Sequence, residues 1–336
     1  MKSAIKAVSE GKNLSVEEAA RVMNIMLSGE ATQAQIAAYL TALRMKGETI
    51  DEIIGSASVI KEKAAHIHPN LPMYADFVGT GGDCTYTFNI STTAAFVAAA
   101  AGLPIAKHGN RAISSKSGAG DVLEALGVNI TPDLVVVKKC VEEVGIGFMF
   151  APAFNQSLRF VGQVRNEIGI RSIFNIMGPM ANPSGAKCMV IGVYDRKLCE
   201  PIANALMHLG VETGMVVSGA NGMDEISTTC ETTIAEIKDN VVTVYTVTPE
   251  QFGFKRAAEE DIMGGDGETN AKITKDILSG ADKGPKRDIV LLNAGMALYV
   301  GKVSATVEDG IKLAAETIDS GKAMETLNKL VEYSKQ

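Results

Sequence analysis

Basic charge is the first thing this sequence lacks. Its 32 Lys and Arg are outnumbered by 39 Asp and Glu, for a formal net charge of -7. A general nucleic-acid binder needs a basic stripe to displace counterions, so that class is disfavoured. An anionic small molecule is not excluded, because a local cluster of donors can override net charge. Cysteine is sparse and unpaired in pattern. Cys84, Cys140, Cys188, Cys199 and Cys230 form no C-x-x-C, and their number is odd. Free thiols in a reducing cytosol are the expectation, and with them a cytoplasmic protein. His66, His68, His108 and His208 show no ligand spacing with the cysteines, which argues against a zinc site. Residues 1–10 form a short amphipathic stretch with no apolar signal core. The longest apolar run, residues 94–106, is too short to span a bilayer and is broken by Gly102 and Pro104. A soluble protein with no membrane partner is expected. Internal repeats and low-complexity segments are missing too.

What is present is an ordinary globular composition. The 336 residues are 46% hydrophobic and 21% charged, enough for a sizeable core in two domains or one large one. Residues 1–66 read as helices. Ser15 with Glu18, Thr32 with Gln35 and Thr49 with Glu52 each fit the S/T-x-x-E/Q capping box. Gly29 and Gly47 sit where helix C-caps would fall. So few short helices cannot hide their apolar faces alone, and part of that surface is expected to face a second domain or subunit. Residues 66–72, with two prolines, read as a linker. From about residue 74, β-rich runs alternate with helical ones. Strands are expected over 75–78, 104–106, 146–150, 189–193 and 215–218, and a hairpin over 232–246 turning at Asp239-Asn240. Helices are expected over 92–101, 120–126, from Thr131-Pro132, over 288–300 and over 307–320. Such alternation implies α/β architecture with a central, largely parallel sheet.

Four segments carry chemistry. Gly79-Thr80-Gly81-Gly82-Asp83 follows a strand and precedes the polar run Asn89-Ile90-Ser91-Thr92 and an alanine-rich helix. Glycines there let backbone N–H groups approach a phosphate, and a helix N-terminus favours an anion. Thr87, Asn89, Ser91 and Thr92 add hydroxyls and amides, and Ser91 can ligate Mg²⁺, which prefers oxygen. No GKS or GKT follows, so this is not a P-loop. Lys107-His108-Gly109-Asn110-Arg111, with Ser114, Ser115, Lys116 and Ser117, gathers three cations and several hydroxyls at a strand end, as a diphosphate requires. Gly222-Met223-Asp224-Glu225-Ile226-Ser227 also follows a strand, and adjacent carboxylates suit Mg²⁺ bridged to substrate phosphates. Finally, Arg165 offers a planar fork for a carboxylate, ahead of residues 171–179.

Together these segments resemble the anthranilate phosphoribosyltransferases, within the second class of glycosyltransferase-like phosphoribosyltransferases. The matching runs are GTGGD, TFNIST, KHGNR followed by SS-K-SG, DVLEALG, FMFAP, VR, FN-x-x-GP-x-x-NP, GMDEIS and RDIVLLNAG, and they extend over nearly the whole chain. The resemblance implies a helical N-terminal domain, residues 1–70, on which helices from about 165–185 pack. It implies a larger α/β domain, 71–336, of the nucleoside phosphorylase and phosphoribosyltransferase type. It also implies a homodimer through the helical part. The implied reaction moves the phosphoribosyl group of 5-phosphoribosyl 1-diphosphate (PRPP) to the amine of anthranilate, with Mg²⁺, in tryptophan biosynthesis. By resemblance Gly79, Gly82, Asp83, Thr87, Asn89, Ile90, Ser91 and Thr92 hold PRPP. Lys107, His108, Gly109, Asn110, Arg111, Ala112, Ile113, Ser114 and Ser115 close over it, with Ala119 beyond them. Ser91, Asp224 and Glu225 match the Mg²⁺ positions, and Gly79, Asn110 and Arg165 those that meet anthranilate.

The sequence departs from the family pattern at three places. Asn155-Gln156-Ser157 stand where a histidine and proline are usual, Ala119 replaces a serine, and Cys84 replaces a common glycine. Three alternatives stay open on the sequence. They are a fold-sharing paralogue that binds nucleic acid, a nucleoside phosphorylase, and a transferase for another aromatic amine.

Overall fold

The computed structural model describes residues 1–112 and 116–336. The chain opens with α1 (Lys2–Ser9), α2 (Val16–Leu27), α3 (Gln33–Lys46) and α4 (Ile50–Lys63). The three capping boxes form as the sequence predicts. Ser15, Thr32 and Thr49 accept from the N–H of Glu18, Gln35 and Glu52, whose side chains accept in return from the cap N–H groups. Gly47 closes α3 at φ 90. Helices α2 and α4 pack so closely that a Cβ on Gly55 would stand 2.2 Å from the Val16 carbonyl oxygen.

After the connecting stretch come β1 (Ala75–Gly79), α5 (Ile90–Ala100), β2 (Ile105–Gly109), α6 (Ala119–Ala125), α7 (Leu134–Lys139) and β3 (Ile146–Phe150). Then follow α8 (Ala151–Phe154), α9 (Arg159–Ile168), α10 (Ile173–Met180), β4 (Cys188–Gly192), α11 (Cys199–His208), β5 (Thr213–Gly219), β6 (Thr232–Lys238) and β7 (Val241–Val247). The chain ends in α12 (Gly267–Leu278), α13 (Pro285–Val300), α14 (Val307–Asp319) and α15 (Lys322–Tyr333). The seven strands make one sheet in the order β3-β2-β1-β4-β5-β6-β7. The first five in that order are mutually parallel, β6 pairs antiparallel with β5, and β7 pairs antiparallel with β6. The expected hairpin turns at Asp239 and Asn240, both at positive φ (52 and 59), as a tight two-residue turn demands.

Strand periodicity splits the core. On β4, Cys188 and Val190 face one apolar cluster with α5 and α13, while Met189 and Ile191 face the other with α2, α4 and α11. That second cluster also takes Val161, Val164, Phe174, Ile176 and Met177, so α9 and α10 pack with the N-terminal helices. Two expectations shift. The helix expected from Thr131-Pro132 begins at Leu134, because Asn129 Oδ1 accepts from the Thr131 N–H at 3.1 Å and holds it in a local turn. Strand β2 runs on to Gly109, so Lys107 and His108 lie in the sheet and not in a loop after it.

Gly55→Ala tests the close helix pair. Overpacking there should lower unfolding free energy by about 1–3 kcal/mol in a denaturant titration. An unchanged midpoint would mean that the α2–α4 contact can spread at no cost.

Candidate active site

Four of the five parallel strands end on glycine: Gly79, Gly109, Gly192 and Gly219. The chain order reverses between β1 and β4, so the loops after these strands open onto a crevice at a topological switch point. The glycines leave room for those loops to cross. A Cβ on Gly192 would lie 1.4 Å from the Asp224 carbonyl oxygen, and one on Gly79 would lie 2.3 Å from Asp224 Oδ2. The loop after β5 therefore folds across the end of β4 and reaches β1. There Gly81 N–H donates to Asp224 Oδ2 at 2.6 Å.

This crossing gathers Asp83, Asp224 and Glu225, whose carboxylates lie within 4.8 Å of one another. Burial, then the neighbouring Asp83 charge, raises Asp224 to about 7. Burial and the charges of Asp224 and Asp83 lift Glu225 well above the carboxylate range, and the Ser91 N–H at the start of α5 opposes the rise. Glu225 Oε2 is buried with no hydrogen-bond partner among the described residues. Clustered carboxylate oxygens that repel one another, one of them buried without a donor, are a ligand set that a hard divalent cation takes, so these residues fit Mg²⁺. Asp83 also accepts from Thr85 N–H at 3.3 Å.

The basic run is less solvent-facing than its sequence suggests. Lys107 is buried and donates to the Phe77 carbonyl. Burial lowers its pKa to about 8, against the pull of Asp76, Glu225 and Asp224. Asp76, wholly buried on β1, is raised by burial to about 6. Its carboxylate accepts from His108 N–H at 3.1 Å and Asn182 Nδ2 at 2.7 Å. Arg111 turns away to an exposed ion pair with Glu124 and Asp121, and the Ala112 N–H donates to Asp121 at 2.8 Å. Asn89 Oδ1 is occupied by Asn270 Nδ2 at 2.9 Å and Ser117 Oγ at 3.2 Å, so α5 starts at Ile90 without a side-chain cap from Asn89. Ile90 and Thr92 are buried, and Thr87 bridges to Met263. Ile113, Ser114 and Ser115 lie outside the described residues.

Beside the carboxylates lies a cleft of about 160 Å³, open to solvent. Its wall brings together Gly79, Asn110 and Arg165, with His108, Asn155, Phe174 and Gly178. Arg165 Cζ sits 5.0 Å from the Phe174 ring centroid, makes no ion pair among the described residues, and has its pKa lowered by burial. His108 is pushed down to about 4 by burial, hence uncharged. Asn155 Nδ2 meets His108 Nε2 at 3.3 Å, while Asn155 Oδ1 is buried and unpartnered among the described residues. Several contributors escape a reading of the sequence. Gly192 shares with Gly79 the signal of a glycine closing an apolar strand. Asp76, a lone acid inside such a strand, is equally visible. Phe174 and Asn182 lie in the FN-x-x-GP-x-x-NP run, without a role of their own in that reading, and Asn270 carries no local signal.

Comparison with known proteins bears on what this site belongs to. The model of the glycosyl transferase family α/β domain matches residues 71–324, and that of the family's helical bundle domain matches residues 2–64. An anthranilate phosphoribosyltransferase of Acetivibrio thermocellus is 54% identical over 99% of this chain and 96% of its own length. One of Symbiobacterium thermophilum is 49% identical over 99% and 98%. The crystal structure of the Thermus thermophilus anthranilate phosphoribosyltransferase superposes with a TM-score of 0.94 at 40% identity, covering 99% of each chain. The chain belongs to the anthranilate phosphoribosyltransferase family. The Saccharomyces cerevisiae member, solved in complex with PRPP and Mg, is 28% identical with a TM-score of 0.91 over 99% of this chain and 97% of that one.

The departures from the anthranilate phosphoribosyltransferase pattern now have places. Asn155 fills the cleft wall against His108. Ala119 heads α6, with its Cβ 3.3 Å from where a Cβ on Gly109 would stand. Cys84 is exposed at φ 62, a conformation that glycine adopts without strain.

The acids set a pH dependence. A carboxylate with a raised pKa keeps its proton toward neutrality, and a cation must displace it. Divalent-cation affinity should therefore rise with pH, about tenfold per unit for each proton displaced, with the contribution of Asp224 levelling off above about 7. Mn²⁺ titration between pH 5.5 and 8.5 measures this, and a flat profile would contradict the burial of Asp224 and Glu225.

Proposed function

We propose that the protein transfers the phosphoribosyl group of PRPP to the amine of anthranilate, releasing diphosphate, as a step of tryptophan biosynthesis. The observation that carries this reading is at Gly79. That residue lines the cleft holding Arg165 and also touches Asp224, so an acceptor pocket and a cation site share one wall.

The roles follow from the geometry. In the transfer the amine nitrogen bonds to the anomeric carbon as the carbon–oxygen bond to diphosphate breaks, and the nitrogen then loses a proton. Arg165, desolvated and without an anion among the described residues, takes the anthranilate carboxylate and aims the amine. An aromatic amine is neutral at pH 7, so no strong base is needed. His108 holds Asn155 and stays uncharged as part of the wall. Asp224, Glu225 and the Ser91 hydroxyl would hold Mg²⁺, with Asp83 beside them. When bound, that cation supplies charge neutralisation for the departing diphosphate. Lys107, whose amine faces Asp224 and Glu225, keeps their surplus charge in check. With the Thr80 and Gly81 N–H groups given to Gly192 and Asp224, those of Gly82 and Asp83 are left to cradle phosphate beside Gly79, with Thr87 and residues 89–92 at the α5 N-terminus. His108, Gly109, Asn110, Arg111, Ala112 and Ala119 belong to the PRPP side, and Arg111 would exchange Glu124 for phosphate. Residues 1–70 and 71–336 are taken as the two domains. The exposed Met45 and Ile50 on the helical part support pairing with a second copy there. Five free cysteines support a cytoplasmic setting.

The decisive measurement follows the loss of anthranilate fluorescence with PRPP and Mg²⁺. Wild-type protein should turn over only with all three present, and no turnover would reject the activity. Asp224→Ala combined with Glu225→Ala should abolish turnover while leaving the fold intact. Unchanged kcat/KM would sink the cation assignment. Arg165→Ala should raise the anthranilate KM about 10- to 100-fold, the worth of a charged hydrogen-bonded pair. An effect confined to the PRPP KM would reverse its role.

A further inference from the structure

The run RDIVLLNAG, residues 287–295, has no part in the site as described. It lies on α13, and Asn293 within it is wholly buried. The Asn293 amide reaches outside its own helix. Its Oδ1 accepts from Ile226 N–H at 3.1 Å, and its Nδ2 donates to the Ile226 carbonyl at 2.8 Å and to the Ile289 carbonyl at 2.8 Å. One side chain thus pairs both backbone polar groups of Ile226, as a neighbouring strand would. Ile226 directly follows Glu225.

The stretch between β5 and β6 that carries Asp224 and Glu225 has neither helix nor strand. Backbone bonds close its two ends, Gly219 N–H to the Met223 carbonyl at 2.9 Å and Ala220 N–H to the Glu231 carbonyl at 2.9 Å, and several groups between them take side-chain partners. Asn221 Oδ1 takes Met223 N–H at 3.3 Å, and Thr232 Oγ1 takes Ser227 N–H at 2.9 Å. Between those two ties lie the acids, which repel one another and Asp83. Their side chains are each held by a backbone N–H, Asp224 Oδ2 by Gly81 at 2.6 Å and Glu225 by Ser91, while Glu225 Oε2 has no partner among the described residues. Those bonds fix the carboxylate ends; the main chain that carries them needs its own restraint, and the pairing that adjoins Glu225 is the one Asn293 makes. It is made out of water, so loss of the amide would leave an N–H and a C=O unsatisfied and free the segment to move.

We infer that Asn293 is a positioning residue of the divalent-cation site. Its two-sided grip on the Ile226 peptide holds Asp224 and Glu225 against Asp83 despite their repulsion. This rests on the cation reading given above.

The test counts bound Mn²⁺ by electron paramagnetic resonance, in the presence of diphosphate and without turnover. It compares full-length wild type, Asn293→Ala, Asn293→Ser and Leu298→Ala, the last removing a wholly buried side chain from the same helix. Asn293→Ala should weaken Mn²⁺ binding at least about tenfold, as loss of a partner supporting a metal ligand does. Asn293→Ser should weaken it less, and Leu298→Ala should stay within about twofold of wild type. At saturating Mg²⁺ the anthranilate KM of Asn293→Ala should be unchanged. Wild type that binds no Mn²⁺ would overturn the cation reading and this inference with it. Wild type that binds, with both Asn293 variants folded and binding equally well, would overturn the inference alone. So would an equal loss in Leu298→Ala. Failure of both Asn293 variants to fold, when Leu298→Ala folds, would also overturn it, by making Asn293 a general core group.

Discussion

The Asp224 peptide lies where a side chain at residue 192 would be, and the rest of the site depends on that contact. With any Cβ at 192 the loop after β5 could not cross β4, and its carboxylates would not reach the loop after β1. The crossing brings acids together out of water, an arrangement opposed by desolvation and by Coulomb repulsion. What offsets those costs is distributed. Backbone N–H groups of Gly81 and Ser91 face the carboxylates, and the buried Lys107 amine lies on the same side. The site is thus built in a destabilised state that a cation would relieve, which suits the proposed binding of a metal together with a polyanionic substrate.

Lys107 illustrates how the sheet supports that state. A buried ammonium is costly, and it persists here because Asp76 on the neighbouring strand is equally buried and equally short of water. Asp76 in turn is held by the His108 N–H and by Asn182, whose Nδ2 also donates to the Ala106 carbonyl at 2.9 Å. The charge that balances the acids is therefore anchored in β2 and not carried on a mobile loop.

That arrangement also explains what can be read from the sequence. Local rules suffice where local chemistry decides. The capping boxes at Ser15, Thr32 and Thr49, the hairpin at Asp239-Asn240 and the strand–glycine end of β1 need only near neighbours in the chain. The three site segments are recognisable because phosphate and metal chemistry restrict residue types so tightly. What is not legible rests on distant partners. Lys107 reads as a loop cation unless Asp76 is known to lie beside it, so the sequence pattern ends β2 too early. Arg111 reads as a phosphate ligand unless Glu124 is seen across α6. Asn293 reads as an ordinary polar residue in a helix until Ile226 is placed against it.

Two electrostatic imbalances remain in the protein alone, and they are of opposite sign. Asp224 and Glu225 are crowded with Asp83 into one cluster of carboxylates, while Arg165, beside the Phe174 ring, makes no ion pair among the described residues. Either one by itself would be an ordinary strained group. Their meeting at Gly79, a residue with no side chain to separate them, gives the pair a meaning. A metal-bound diphosphate ester answers the first and an aromatic carboxylate the second. The uncharged wall of His108 and Asn155 between them offers no competing ion. On the proposed reading, each substrate completes the half of the site that the fold leaves unbalanced, and the shared boundary at Gly79 is where the amine and the anomeric carbon are brought to face each other.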